Sequence, residues 1–227
     1  SINGLSKTER IIKIHCVLPG LYVGNYRDSK DPVQLDKYRI THILSIHDAA
    51  RRLYIFLCND FIHAARLRDG NVLIHCLAGM SRSVTVAVAY IMSVTPLTWR
   101  EALKVVRAGR AVANPNLGFQ RQLQDFETYK LVEERRRLKE RYPSLALADS
   151  DIAECRVMLD SYQTMLNQRT ICEGKCAMGR QCPTGKLFVN IYYFIEYRLP
   201  FACSRWVKHV HVKFYQNGPV AIVHTAL

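Results

Sequence analysis

Apolar and polar positions change period several times along the chain, and each change marks an element. Leu21-Tyr22-Val23, after the turn pair Pro19-Gly20, predicts a short strand. Asp31-Pro32 opens a helical stretch through Leu35 and Tyr38, with proline at the first helical position, where its missing N–H costs nothing. Ile40 to His47 alternates and is β-branched enough for a second strand. Asn71-Val72-Leu73-Ile74 follows the turn signal Asp69-Gly70 and reads as a buried strand. From Arg82 to Val94 apolar residues surround most sides, as in a helix packed inside a domain. Thr98-Trp99-Arg100-Glu101 is a capping box, and Gly109 is placed to end the helix it opens. Asn116 caps a long helix from Leu117 to about Lys139, stopped before Pro143.

Strands first, then three helices after the last strand, predict an α/β domain over 15–142. Beyond Pro143 the character changes: Ala146 to Gln168 has the pattern of one more helix, followed by a Cys/Gly-rich stretch and an aromatic tail without regular period. Residues 143–227 are therefore read as a separate C-terminal extension. With 227 residues, 49% of them hydrophobic, the chain can bury one core with an appended segment. Its longest apolar runs, such as Val84 to Met92 and Leu187 to Ile195, are shorter than the ~18 residues a membrane span needs, so no transmembrane segment is expected. The opening Ser1 to Lys7 has neither the apolar run of a secretory signal nor a Met-Gly pair for myristoylation.

Charge adds one restriction. The first 150 residues hold 23 Lys and Arg against 14 Asp and Glu, and the rest 9 against 5, so the net +13 is spread over both parts. Such a surface favours acidic partners in general, and no nucleic-acid ligand is expected. The eight cysteines, at 16, 58, 76, 155, 172, 176, 182 and 203, are scattered in a chain without an export signal, which reads as reduced thiols in the cytoplasm.

The chemistry concentrates in Ile74-His75-Cys76-Leu77-Ala78-Gly79-Met80-Ser81-Arg82-Ser83. A strand turning into a helix over six residues can aim the backbone N–H groups of Leu77, Ala78, Gly79, Met80, Ser81 and Arg82 at the anionic oxygens of a phosphate monoester. Gly79 permits the positive φ that such a ring requires. The same amides and the helix dipole stabilise a thiolate on Cys76, making it a nucleophile. Arg82 closes the ring and can grip two equatorial oxygens bidentately, which Lys cannot. Ser83 can donate a hydrogen bond to the thiolate and assist its departure, His75 orients the loop, and Asn116 is assigned a supporting role beside it. The bland reading takes Cys76 as a small buried hydrophobe and Arg82 as a surface residue; the fixed spacing and the strand-loop-helix context weigh against it.

Here the chain resembles the atypical dual-specificity protein phosphatases. Val17 to Asn25, Ile40 to Ser45, His75 to Ser83 and Ala113 to Leu123 all match, most like the small Jun-kinase-pathway subgroup, which is often myristoylated. The resemblance covers about residues 15 to 142. It implies a twisted, mostly parallel sheet flanked by helices, and hydrolysis of phosphotyrosine and phosphoserine/threonine in phosphoproteins, in part of a MAP-kinase pathway, without metal or cofactor. Leu, Ala and Met at positions 77, 78 and 80, with no Lys, argue against a phosphoinositide substrate.

The resemblance breaks after the second strand. The family carries a further strand and a loop bearing an Asp general acid there, whereas His47-Asp48-Ala49-Ala50-Arg51-Arg52-Leu53 runs almost directly into Phe56 to Phe61. A strand, a loop and a helical turn, roughly twenty residues, are missing. Asp60 is the nearby acidic candidate, but Leu57, Phe61, Ile62 and Ala65 recur around it at helical spacing and favour a solvated helix residue; Asp48 has less support. A rival reading follows, a phosphopeptide-binding or scaffold pseudophosphatase that keeps the loop without efficient catalysis. Arg100, Lys104 and Arg107 form a basic stripe that is either a solvated face or a guide for acidic substrates, and Arg135-Arg136-Arg137 among Glu133, Glu134 and Glu140 reads as an ion-laced helix end. Cys172, Cys176, Cys182, Cys203, His209 and His211 have too irregular a spacing for a zinc site to be expected.

Overall fold

The computed structural model describes residues 13–46, 53–143 and 147–168, together with the backbone of two strands between 210 and 223. Strands β1 (His15–Leu18), β2 (Leu21–Asn25), β3 (His42–Ser45) and β4 (Val72–Cys76) form one sheet in the order β1-β2-β4-β3. β1 and β2 are antiparallel around the turn at Gly20, while β2 and β3 both run parallel to β4. The three parallel strands therefore end at one edge, with Asn25 opposite Cys76 and Ser45 opposite His75. That edge is where α/β sheets place ligands. β4 is buried at every residue, which explains its unbroken apolar run rather than an alternation.

Helices α1 (Pro32–Lys37), α2 (Ile55–Arg66), α3 (Arg82–Val94), α4 (Trp99–Gly109), α5 (Leu117–Tyr129), α6 (Leu131–Arg141) and α7 (Ala148–Asn167) flank the sheet. α3 is the central one, with every residue from Ser83 to Ser93 buried, packed against α2, α4, α5 and α6. Its caps and those of its neighbours are local. Asp31 accepts from the Val33 and Gln34 amides at the start of α1, Thr98 and Glu101 complete the box at α4, and Asn116 accepts from the Phe119 amide at α5. Each such cap contributes about 1 kcal/mol.

The single helix expected from Leu117 to Lys139 is instead two. Lys130, at φ −132°, leaves the helical region and separates α5 from α6. The bend carries Leu131 and Leu138 into the core and brings Arg135 to the carbonyls of Met92 and Thr95 at the end of α3. No Pro or Gly marks the break, because tertiary burial drives it. The arginines also divide: Arg136 makes exposed pairs with Glu133 and Glu140, while Arg137 reaches Glu134 and, on α2, Asp60.

Residues 148–167 form the expected further helix, and α7 lies against α4 and β1. The Asp151 carboxylate meets the Arg66 guanidinium at 2.6 Å with both side chains buried, and Arg66 also donates to the Pro19 carbonyl and the Tyr90 hydroxyl. Four groups thus share one charge pair, the condition under which a buried ion pair offsets its desolvation. β5 (Val210–Tyr215) and β6 (Gly218–Val223) make an antiparallel hairpin with β6 beside β3, the last strand of the sheet. Cys172, Cys176, Cys182, Cys203 and His209 lie outside the described residues, as does Asp48. Among the described residues no helix is long and apolar enough to cross a membrane.

Candidate active site

Cys76 closes β4, and α3 begins six residues later, so the loop between them hangs over the edge where the parallel strands end. The Cys76 side chain is 3% exposed. Its Sγ receives the Gly79 N–H at 3.2 Å and lies 3.4 Å from the Ser83 Oγ, itself fully buried on the first turn of α3. Gly79 has φ +65°, and a Cβ there would run into the carbonyl of Gly24 on β2. Both facts restrict the position to glycine.

The carbonyls of the loop are spoken for, one by one, from outside the ring. The Leu77 oxygen accepts from the Tyr26 N–H at 3.2 Å, the Met80 oxygen from the Asn114 N–H at 2.8 Å, and the Ser81 oxygen from the Thr85 N–H at 2.8 Å. The Gly79 oxygen accepts from the Arg110 Nε at 2.6 Å. A trans peptide is planar, with its C=O and N–H pointing in opposite directions. Each carbonyl drawn outward therefore turns the next N–H inward, at Ala78, Met80, Ser81 and Arg82. Ser81, before α3, makes no side-chain cap bond, so the positive end of that helix is left for a ligand. The result is a cradle of backbone N–H groups above the sulfur, of the kind that can hold an anion.

The other predicted site residues fall around it. Arg82 opens α3 and is half-buried, Leu77 and Ala78 are exposed on the outer rim, and His75 is buried with its carbonyl accepting the Ile46 N–H at 2.8 Å. Asn116 donates its backbone N–H to the Ser81 Oγ at 3.1 Å, as well as capping α5. The Tyr26 ring stands 6.2 Å from the His75 ring, with the Lys30 ammonium 4.4 Å above its face.

The family model for the dual specificity phosphatase catalytic domain matches residues 46–129. Human dual specificity protein phosphatase 22 is 47% identical over 159 residues, covering 61% of this chain and 86% of its own. Mouse dual specificity protein phosphatase 15 is 42% identical over 156 residues, covering 60% and 66%. This chain belongs to the dual specificity phosphatases. The crystal structure of DUSP15 shares its fold, with TM-score 0.54 and 41% identity over 58% of this chain and 97% of that one. The protein is thus a protein phosphatase of the dual-specificity class.

In this phosphatase Asp60 is not at the Cys76 loop. Both its oxygens accept from Arg137 at 3.0 Å, and Arg141 lies 3.2 Å away. Its neighbour Asn59 donates to the Ser93 Oγ at 3.0 Å. Ser93 is eleven residues along α3 from Arg82, roughly 16 Å at 1.5 Å per residue. Asp60 therefore sits at the opposite end of α3, held by two arginines rather than solvated. The carboxylate behind the loop is Asp28, fully buried, accepting from the Asn25 N–H at 2.7 Å; burial pushes its carboxyl above the usual range. Two groups that shape the cradle, Arg110 and the Asn114 amide, were not read from the sequence. An arginine set among Ala108, Gly109, Ala111, Val112 and Ala113 was the available signal.

Proposed function

We propose that this phosphatase acts through Cys76 as nucleophile. The thiolate attacks phosphorus, an S–P bond forms and the P–O bond to the substrate breaks, the oxygen departing as an anion that then takes a proton from water. Water then attacks the phosphocysteine, the S–P bond breaks and phosphate leaves, with Ser83 donating to the departing thiolate. Arg82 and the inward amides of Ala78, Met80, Ser81 and Arg82, in the loop 77–82, stabilise the charge on the three equatorial oxygens. The observation that carries this reading is the pair of contacts on the Cys76 sulfur, Gly79 N–H and Ser83 Oγ, at the floor of a loop whose Leu77, Gly79, Met80 and Ser81 carbonyls are bonded from outside.

The substrates are phosphoproteins bearing phosphotyrosine and phosphoserine/threonine, a class that the relatives and the basic surface support, in a MAP-kinase pathway of the cytoplasm. Turnover is slowed by loss of the general-acid loop. In support, 61% of 227 residues is about 138, some twenty fewer than the 159 aligned positions shared with the human relative. Without an acid the leaving oxygen departs unassisted, a loss of typically ~10²–10⁴-fold. Alkoxide leaving groups suffer more than phenolates, so phosphotyrosine is the better substrate. The catalytic unit also extends past residue 142 through α7, as the buried Arg66–Asp151 pair supports.

Hydrolysis of an aryl phosphate across pH, by the wild type beside Cys76→Ser, tests the proposal. Cys76-dependent turnover is expected. Retained phosphopeptide binding without any turnover would instead establish the scaffold reading.

A further inference from the structure

Arg110 follows α4 and is fully buried, one of the largest side chains the fold encloses completely. Its Nε donates to the Gly79 carbonyl at 2.6 Å, and its Nη1 lies 2.9 Å from the Lys13 carbonyl and 2.8 Å from the His15 Nδ1. Its Nη2 has no hydrogen-bond partner, yet points under the loop, 2.7 Å from where a Cβ on Gly79 would stand. The nearby carboxylate, Asp28, interacts with it through space without closing an ion pair, and the Asp28 Oδ1 is likewise without a hydrogen bond. His15 stays neutral, since burial first and the guanidinium second lower its pKa to about 4, and its Nδ1 stands 2.7 Å from the Lys13 carbonyl as well as beside Arg110.

A guanidinium buried without a carboxylate in contact is costly, and a fold retains one where its charge is used. We infer that Arg110 is a positioning residue of the phosphate loop. By holding the Gly79 carbonyl outside the ring it turns the Met80 N–H towards the bound anion. It also sets a second positive charge, besides Arg82, within electrostatic reach of Cys76. The linkage is covalent and short: the Gly79 N–H rests on the sulfur while its C=O rests on the arginine. Loss of the Nε bond frees the 79–80 peptide to rotate, and one donor of the cradle is lost. The assignment rests on the loop reading above.

Orthovanadate, a stable mimic of the pentavalent transition state, is the probe. Its affinity for wild type, Arg110→Lys and Arg110→Met is measured by calorimetry, with thermal melts to verify folding and iodoacetamide alkylation of Cys76 followed against pH. Vanadate binding is expected to weaken about 10-fold in Arg110→Lys and about 100-fold in Arg110→Met, the range for hydrogen bonds to charged groups. The alkylation midpoint moves to higher pH in Arg110→Met and much less in Arg110→Lys, which a packing role alone does not produce. Folded variants with unchanged affinity and midpoint overturn the assignment and leave the loop reading standing. If neither variant folds, the Arg110 Nε–H resonance of the wild type decides: a shift on titration with inorganic phosphate supports the coupling, and no shift overturns it. Wild type that binds no vanadate removes the loop reading and this one together.

Discussion

The two ends of α3 handle the same physical problem in opposite ways. A helix leaves its last carbonyls and its first amides without partners. At the C-terminal end the protein supplies them itself: Arg135 donates to the carbonyls of Met92 and Thr95, and the hydroxyls of Ser93 and Thr95 bond back to Ala89 and Ile91. At the N-terminal end no side chain caps the helix, and the arginine behind it, Arg110, binds a loop carbonyl instead of an amide. One arginine finishes the helix end it touches; the other leaves the helix amides open and holds a loop carbonyl. A helix end completed internally contributes to stability; an end left open and surrounded by outward carbonyls contributes to recognition.

Substitutions at the two ends should therefore separate activity from stability. The largest effect belongs to Cys76→Ser, which should lower turnover on the order of 10⁴-fold or more while leaving the melting temperature nearly unchanged; substantial residual turnover by the purified variant would sink the nucleophile assignment. Gly79→Ala comes next. With φ at +65° and the Gly24 carbonyl in the way, the loop must shift, and kcat/KM should fall roughly 100-fold, as misplacement of about 1 Å does. Steady-state assays with an aryl phosphate read both.

The seat of Arg110 gives the comparison a pH dependence. His15 has a folded pKa of about 4, depressed by burial and then by Arg110, against an ordinary 6.5. The unfolded chain therefore binds the proton first as pH falls. Stability from this group is full above about pH 6.5 and is lost between there and pH 4, by ~3 kcal/mol at most. Urea melts of the wild type and His15→Gln across that range should diverge above pH 6.5 and converge towards pH 4; parallel curves would remove the role of His15.

At the far end, Arg135→Met should cost about 1.5–3 kcal/mol of stability by leaving buried carbonyls unpaired, with kcat/KM altered less than threefold. A loss of vanadate affinity in that variant would erase the distinction between the ends. The smallest effect is reserved for Asp60→Asn: its pH–rate profile should overlay the wild type, since Arg137 and Arg141 occupy that carboxylate. Loss of the profile's basic limb would reinstate Asp60 as the acid.

What the sequence determined by itself was whatever depends on neighbours within a few positions. The Cys76 to Ser83 spacing, the Thr98 and Glu101 box, the Asn116 cap and the Asp31-Pro32 start all bond two to seven residues away, so their geometry follows from local backbone form. The buried run of β4 and the apolar surround of α3 were legible for the same reason, as periods. Only the tertiary structure decided the rest. The break at Lys130 carries no local signal, because the gain comes from burying Leu131 and Leu138 and from Arg135 reaching the end of α3. Asp60 reads as solvated until Arg137, 77 residues on, is folded against it. Arg110 is an unremarkable helix-end cation until it turns inward to Gly79, 31 residues earlier. Sequence spacing records bonds between residues that the chain itself holds close; a partner brought from a distance is chosen by the packing of the core, and no local pattern encodes it.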